Sequence, residues 1–578
     1  MNRMNKIASF LLILLVLTGC YQDKGNYEYT LDSMNEILSV TFSPSVIKGA
    51  SGDVIEVQQA LDEASRTRRI EAFVEQTLKQ GLEHLDFYWC RTYTNDQGKA
   101  VKDTIHTKGY LEFDLPVGES MAYDVFLQIY DQSTDLSHYS AFRISTRPIF
   151  KNSLFVLHGA EGKRKLGNIE IIGNETKVYT DVKEVTKDNN HYENVVGMGY
   201  TTYMNIPEDL TNIGETSALT LYGNDGETRA YNPHGMTVKY TAPQIFKPLS
   251  ETFAYQKTIQ TGDPSNFTLY KVVLTENGEV YVGNHVHALY RPGLACENDP
   301  NLPHQADYEI TAATITHNRF LLWDAKQGRF LYAAKEDPGF AVDEASSIKA
   351  SYQSRSPLLD AHVKFQGLQK SPAEMTAVLG YINYRDNYSQ QNAYFIFSDE
   401  ETGDYYRYEL LKLEIGDGSK ASGRRGVEEE EEEELAAYSI VSEKKLAGLT
   451  PTKMSTITYN AWFTTSNLFF AEGSTVYRYN IANGDKFIVY EAPEGYEVTM
   501  LKFRTEDSSA FSDDLGLYLN IVLFNGTNGA IAEVKLNTAA DLDEDSPVLF
   551  YEHDNKDNRF GEIKDIQFVN DYVYKMIY

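Results

Sequence analysis

The chain has 578 residues, 42% hydrophobic and 24% charged, which allows large packed cores and excludes a wholly disordered polymer. Its 53 basic and 83 acidic side chains leave a formal charge of −30, so a broad basic face is excluded and no nucleic-acid partner is expected. Three cysteines cannot make a disulfide-dense scaffold. Aromatic residues at 12% favour strands over helices.

In chain order, the first element is an export signal over residues 1–19. Arg3 and Lys6 form its basic flank, and the apolar run 7–17 follows. That run is too short to cross a bilayer as a helix, which takes about 20 residues. It ends in Leu17-Thr18-Gly19-Cys20. This tetrapeptide resembles the lipobox of bacterial lipoproteins. The resemblance implies cleavage before Cys20 and acylation of its thiol and new amino group, with palmitate-type chains as the membrane anchor. A thiolate is a competent nucleophile for that alkylation. Several chains, at ~0.8 kcal/mol per buried methylene, hold where a single chain would not. No second run of 18 or more apolar residues exists, so the mature chain is expected to be tethered through residues 20–29. Without Arg3 and Lys6 its formal charge is −32, which anionic lipid would repel.

After Cys20 come Asp23-Lys24-Gly25-Asn26-Tyr27 and then Asn35-Glu36. This opening resembles the Bacteroidetes PKD-like family of lipoproteins, closely over the first forty residues and more loosely to about residue 160. The resemblance implies an outer-membrane lipoprotein accompanying nutrient-import machinery for glycans. It assigns no ligand.

Residues 30–147 read as an immunoglobulin- or PKD-like β-sandwich. Short, partly alternating runs at 54–57, 85–89, 109–113, 122–130 and 140–144 are separated by turn residues. Trp89 is the expected core aromatic. Within 58–80, Leu61, Ala64, Ile70, Phe73, Val74 and Leu78 fall near helical spacing, which predicts a helical insertion.

From 148 to 578 one unit recurs: an apolar-aromatic strand, a glycine turn, a second strand. The turn glycines are Gly162, Gly226, Gly278, Gly328, Gly403, Gly473 and Gly526, at intervals of 64, 52, 50, 75, 70 and 53 residues. Four-stranded propeller blades take about 40–50 residues, so the units predict seven blades with insertions near 336–375 and 412–450. The strand-like segment 563–578 would return to complete the first blade. The whole chain is therefore expected to be all-β, a sandwich followed by a seven-bladed β-propeller. A pair of further sandwiches is the rival arrangement. The seven glutamates at 428–434 read as a solvated acidic loop within 427–434.

Chemistry-bearing patterns are weak. His285 and His287, with Cys296 and His304, could form a mixed zinc site, but no paired Cys-x-x-Cys accompanies them. Asp541, Asp543, Asp545 and Glu552 match calcium-loop spacing, yet Ser546 replaces the turn glycine. No hydrolase, zinc-protease or phosphate-loop motif is present, so no metal, cofactor or catalytic residue is assigned. Aromatic-plus-polar clusters suit sugar rings, which stack on aromatic faces while Asn, Asp and Arg bind hydroxyls. Tyr381, Tyr384, Arg385 and Tyr388, with Trp323 and Trp462, are the candidate ligand residues. The expected function is non-catalytic capture of a polysaccharide or oligosaccharide beside outer-membrane importer components. A propeller-type glycan hydrolase or lyase, and an envelope scaffold binding a protein, are the alternatives.

Overall fold

The computed structural model describes residues 35–570 apart from 49–52, 59, 61–65, 79–80, 95–99, 116–121, 151, 173–174, 202–216, 225–226, 248, 264–267, 285–288, 292–307, 317–318, 335–357, 383–391, 413–437, 461–462, 464–465, 505–516, 554 and 556–557. The signal segment 1–19, the tether 20–29 with Cys20, and the glutamate run lie outside the described residues. Contacts divide the chain into two units, Met1–Arg147 and Pro148–Tyr578.

The first unit is a two-sheet sandwich. Ile37–Ser43, Thr67–Gln76 and Tyr110–Asp114 form one sheet. The other runs Val54–Gln58, Leu136–Arg147, Ala122–Asp131, Leu85–Thr94, Ala100–His106. Alternation places Val125, Leu127 and Ile129 inward on one strand, where they meet Ile55, Ile70, Trp89 and Phe142. Trp89 is fully buried, edge-on to Phe42 and Phe142, and its indole N–H donates to the Lys108 carbonyl at 2.8 Å.

The helical insertion expected over 58–80 is not formed where the chain is described. Residues 67–76 are a strand, paired with both neighbours of its sheet. Ile70 and Ala72 point into the core, while Phe73 is exposed on the outer face. Apolar residues at 70, 73 and 74 satisfy a helical period as well as a strand period. Pairing on both edges decides between them.

Asn35, the first described residue, ties this unit together. Its amide donates to Asp131 Oδ2 at 2.8 Å and to Gln76 Oε1 at 2.8 Å, and its Oδ1 accepts the Leu78 N–H at 3.2 Å. Ser133 donates to Asp131 through both its N–H and its hydroxyl. Burial alone would raise the Asp131 pKa, but the donors from Ser133 and Asn35 outweigh it and hold the carboxyl below its usual range. A depressed folded-state pKa means the tie is complete above the ordinary carboxylate range and weakens as pH falls through the lowered value.

Among the described residues the second unit holds seven sheets. In six, four strands consecutive in sequence lie side by side or nearly so. Examples are Val195–Thr201, Ala218–Gly223, Arg229–Asn232, Thr237–Thr241 in blade 2, and Thr376–Ile382, Ala393–Asp399, Asp404–Lys412, Tyr438–Lys445 in blade 5. Blade 3 departs slightly, adding the two-residue strand Phe246–Lys247 outside its fourth strand. Blade 1 is the composite one. Asn152–His158, Lys165–Ile172 and Glu175–Tyr179 are joined by Ile563–Asn570, which pairs antiparallel with Asn152–His158. The last described strand of the chain therefore supplies the first strand of the first blade.

The first strands form the inner ring. Ile563–Asn570 packs on Val195–Thr201, that on Tyr255–Asp263, that on Ile310–Ile315, and that on Thr376–Ile382. Tyr381 stacks on Tyr459 of Ile457–Tyr459 at 4.0 Å, and that strand packs on Glu497–Phe503. Lys502 then pairs with Asp565 at 3.0 Å and closes the circle. The inner ring is tight: a Cβ on Gly380 would lie 2.4 Å from the Ala313 carbonyl oxygen of the preceding blade. Blades 4, 6 and 7 span residues 310–360, 457–491 and 497–551. Continuous apolar clusters fill the seams between the blades, such as blades 6 and 7 around Phe469, Phe503 and Leu519. Because both faces of a blade are covered, central strands such as Ala393–Asp399 are buried along their whole length.

Candidate functional site

Alternating strand directions give the ring two unlike faces. Connections from second to third strands are short in every blade, two residues in blade 6 and six in blade 1. Each carries one of the turn glycines; those at 162, 278, 328, 403, 473 and 526 all adopt positive φ, the conformation tight reversals require. Buried Asp324 and Asp399 brace two of these turns, accepting Lys326 N–H and Glu401 N–H respectively. This face also carries the obligatory crossings from the outer edge of one blade to the inner edge of the next. The opposite face carries the first-to-second and third-to-fourth connections. No geometry obliges these to be long, yet 25 residues separate Lys412 from Tyr438. Loops free of structural duty on a rigid wheel are where binding residues concentrate. The glutamate run at 428–434 belongs to the 413–437 connection.

Tyrosines fill the seam between blades 5 and 6 at its long-loop end. Tyr381 near the end of one inner strand is stacked between Tyr394 at 5.1 Å and Tyr459 at 4.0 Å. Arg407 lies 5.1 Å from the Tyr394 ring centre and 3.8 Å from Glu409, whose other approach is the Asn392 amide at 2.6 Å. Tyr381 and Tyr459 each lie close to the end of an inner strand, and the next connections begin after Ile382 and after Tyr459. The structure therefore brings two sequence-predicted segments, the one holding Tyr381 and the one leading to Trp462, onto adjacent strands at one end.

Individual candidates fare differently. Tyr381 is a seam aromatic, 6% exposed, not a free shelf. Trp323 is 1% exposed and packs edge-on against Phe330 at 4.7 Å and Phe397 at 4.9 Å, filling the seam between blades 4 and 5. It is a packing residue, and its assignment to a ligand surface is corrected. Tyr384, Arg385, Tyr388 and Trp462 lie outside the described residues, as do His285, His287, Cys296 and His304. Cys90 is a buried free thiol between sandwich strands.

Three of the four carboxylates with calcium-loop spacing are taken up by cations. Asp541 pairs with Arg478, Asp543 with Lys535 at 3.6 Å, and Glu552 with Arg559 at 2.5 Å. Three different cations take these carboxylates, and Asp543 also accepts the Ser546 hydroxyl at 2.9 Å. Among the described residues no group of three or more His, Cys, Asp or Glu is placed to hold a metal ion.

Residues that the sequence did not single out are the seam cations. Arg319 lies between Tyr332 and Tyr438, Arg407 over Tyr394, and Arg504 over Tyr518 at 4.1 Å and Phe568 at 4.7 Å. Arg319 and Arg407 stand on blade strands, and Arg504 follows directly on the inner strand Glu497–Phe503. Arginines on otherwise apolar blade strands are the signal that could have found them.

Residues 20–193 match the model of the PKD-like family. The match runs past Arg147 and takes in the first three strands of the propeller unit. None of the curated proteins matches the chain. Among solved structures, a quinonprotein alcohol dehydrogenase-like protein from Bacteroides thetaiotaomicron is 10% identical, with a TM-score of 0.37, covering 93% of this chain and 99% of that one. An auxiliary nutrient binding protein from the same organism is 10% identical at a TM-score of 0.25, covering 75% and 83%. The WD40 domain of SCAP from fission yeast is 10% identical at 0.27, covering 72% and 81%. The seven closed sheets, rather than these loose overlaps, define the fold.

Proposed function

We propose that the chain is a lipid-anchored envelope protein whose propeller captures a nutrient glycan without transforming it. The observation that carries the reading is the asymmetry of the wheel: one face bears the tight second-to-third turns and the obligatory crossings, the other connections of up to 25 residues whose length closure of the ring does not require. Tyr384, Arg385, Tyr388 and Trp462 lie on two of those connections, leaving from strands that touch through Tyr381 and Tyr459. Such residues give sugars stacking faces and planar hydrogen-bond donors. Sequence around Cys20 supports an outer-membrane anchor, and the PKD-like match supports a spacer role for the sandwich. Association with importer components is part of the same proposal.

Titration of residues 20–578 against a panel of neutral and acidic polysaccharides tests capture. Binding to at least one member, with chain lengths unchanged after long incubation, is the expected result. No binding to any member would overturn it, and shortened chains would favour the hydrolase or lyase. For the anchor, Cys20→Ala should move the protein from membranes to the soluble fraction; a variant that still sediments with the outer membrane would refute lipidation. A protein-binding scaffold is the second reading, favoured by apolar side chains on the outer strands of blades 6 and 7. Phe487, Ile488, Leu549 and Phe550 are all exposed there.

A further inference from the structure

At the long-loop end of the seam between blades 4 and 5, one cation stands without an acid among the described residues. Arg319 opens the second strand of blade 4, Arg319–Asp324. Its guanidinium lies 4.4 Å from the ring centre of Tyr332 and 5.9 Å from that of Tyr438. The two rings meet edge to face at 6.1 Å. Tyr438 opens the fourth strand of blade 5, so residues from two blades gather where long connections leave.

Arg329, Arg407, Arg478, Arg504 and Arg559 each face a carboxylate within 4 Å. Among the described residues Arg319 faces none. Its Nη1 and the Tyr438 hydroxyl are both buried without a well-formed hydrogen bond among those residues, although the Thr316 hydroxyl and Arg319 itself lie close enough to act on the Tyr438 hydroxyl. Tyr438 is 1% exposed, and burial raises its pKa although Arg319 and the Thr316 hydroxyl pull the other way, so the hydroxyl keeps its proton. Two adjacent donors, one of them cationic, with no carboxylate beside them among the described residues, are complementary to an oxyanion. In a chain of −30 overall such a spot is not explained by general surface charge.

We infer that Arg319 and Tyr438 form a subsite for the carboxylate or sulfate group of an acidic saccharide. This rests on the glycan-capture reading and names the substrate class that one part of the long-loop face selects. The guanidinium supplies charge and a planar fork, Tyr438 a second donor, and Tyr332 an apolar wall for the sugar ring.

Calorimetry of residues 20–578 with length-matched oligosaccharides tests it in three arms: neutral, uronic-acid and sulfated. At least one acidic arm should bind roughly tenfold or more tightly than the neutral one. That preference should shrink as salt rises from about 50 to 300 mM. Arg319→Met should erase the preference for the acidic arm, and Arg319→Lys should restore part of it. The two acidic arms separate carboxylate from sulfate recognition. Should Arg319→Met not fold, Tyr438→Phe with the salt series supplies the same readout. Equal binding of all three arms, or an Arg319→Met variant with unchanged preference, overturns the subsite and leaves glycan capture standing. No binding in any arm overturns both.

Discussion

A chain ending at Glu562 should lose the propeller as a cooperative unit. Among the described residues the strand Ile563–Asn570 is the one inner strand of blade 1, and its seven paired positions leave the Asn152–His158 edge bare when removed. Ile563, Ile566 and Phe568 also belong to the apolar cluster that joins blade 1 to Val522 and Ile531 of blade 7. Asp565 is a further loss. Its Oδ2 accepts the Met198 N–H of blade 2 at 2.7 Å, and its Oδ1 accepts Lys502 Nζ of blade 7 at 3.0 Å. One carboxylate therefore links three blades. Just before this strand, His158 Nδ1 accepts the Gly561 N–H at 3.0 Å while Nε2 lies 2.8 Å from the Thr180 carbonyl oxygen. Burial lowers the His158 pKa, and both ring nitrogens are engaged in the neutral form with hydrogen on Nε2. Opening a ring exposes a long apolar edge, so the truncated protein should aggregate or unfold without a cooperative transition. Thermal unfolding and size-exclusion chromatography check this. A truncated protein that stays monomeric and melts within a few degrees of the full chain would show that closure matters little.

Much of this architecture was readable from residues alone, for a physical reason. A blade needs a reversal between its second and third strands, a two- to six-residue reversal favours positive φ, and glycine meets that at little cost. All seven glycines that mark the repeat fall in that one connection, so counting them counted blades. The segment around Asp565-Ile566-Gln567-Phe568 read as a strand because it alternates, and ring geometry left one place for it. The sandwich strand Thr67–Gln76 was misread because Ile70, Phe73 and Val74 suit either period, and pairing partners forty residues away are invisible locally.

The candidate site was less legible. In an open sheet a large aromatic on a strand has one wet face and one dry face to choose between. In a wheel both faces of each blade meet a neighbour, so Trp323 and Tyr381 were driven into seams that periodicity cannot distinguish from a surface. The converse held for Arg319, Arg407 and Arg504. Charged residues on strands look like solvent-facing positions, yet here they sit among tyrosines between blades.

Arg504 and Glu533 carry the second large effect. They form two hydrogen-bonded contacts, Nε to Oε2 at 2.6 Å and Nη2 to Oε1 at 2.5 Å, with side chains only 9% and 2% exposed. Tyr551 adds its hydroxyl to Glu533 Oε1 at 3.1 Å, and the guanidinium rests over Phe568 of the closing strand. Burial opposes the charge on Arg504, but Glu533 outweighs it and the Arg504 pKa is raised. A buried pair of this kind contributes little net stability against an apolar replacement of similar shape. Removing one partner is different, because the other charge stays behind without compensation. Glu533→Leu alone should therefore destabilise the propeller by about 3–5 kcal/mol, and Arg504→Met alone by a similar amount. The double variant should recover most of that loss, leaving only the Tyr551 hydroxyl short of a partner, at about 1–3 kcal/mol. Equilibrium denaturant unfolding of the four proteins measures the cycle. If the double variant is as unstable as the two single losses added together, the pair is not coupled and the seam owes its strength to Phe568 and its apolar neighbours.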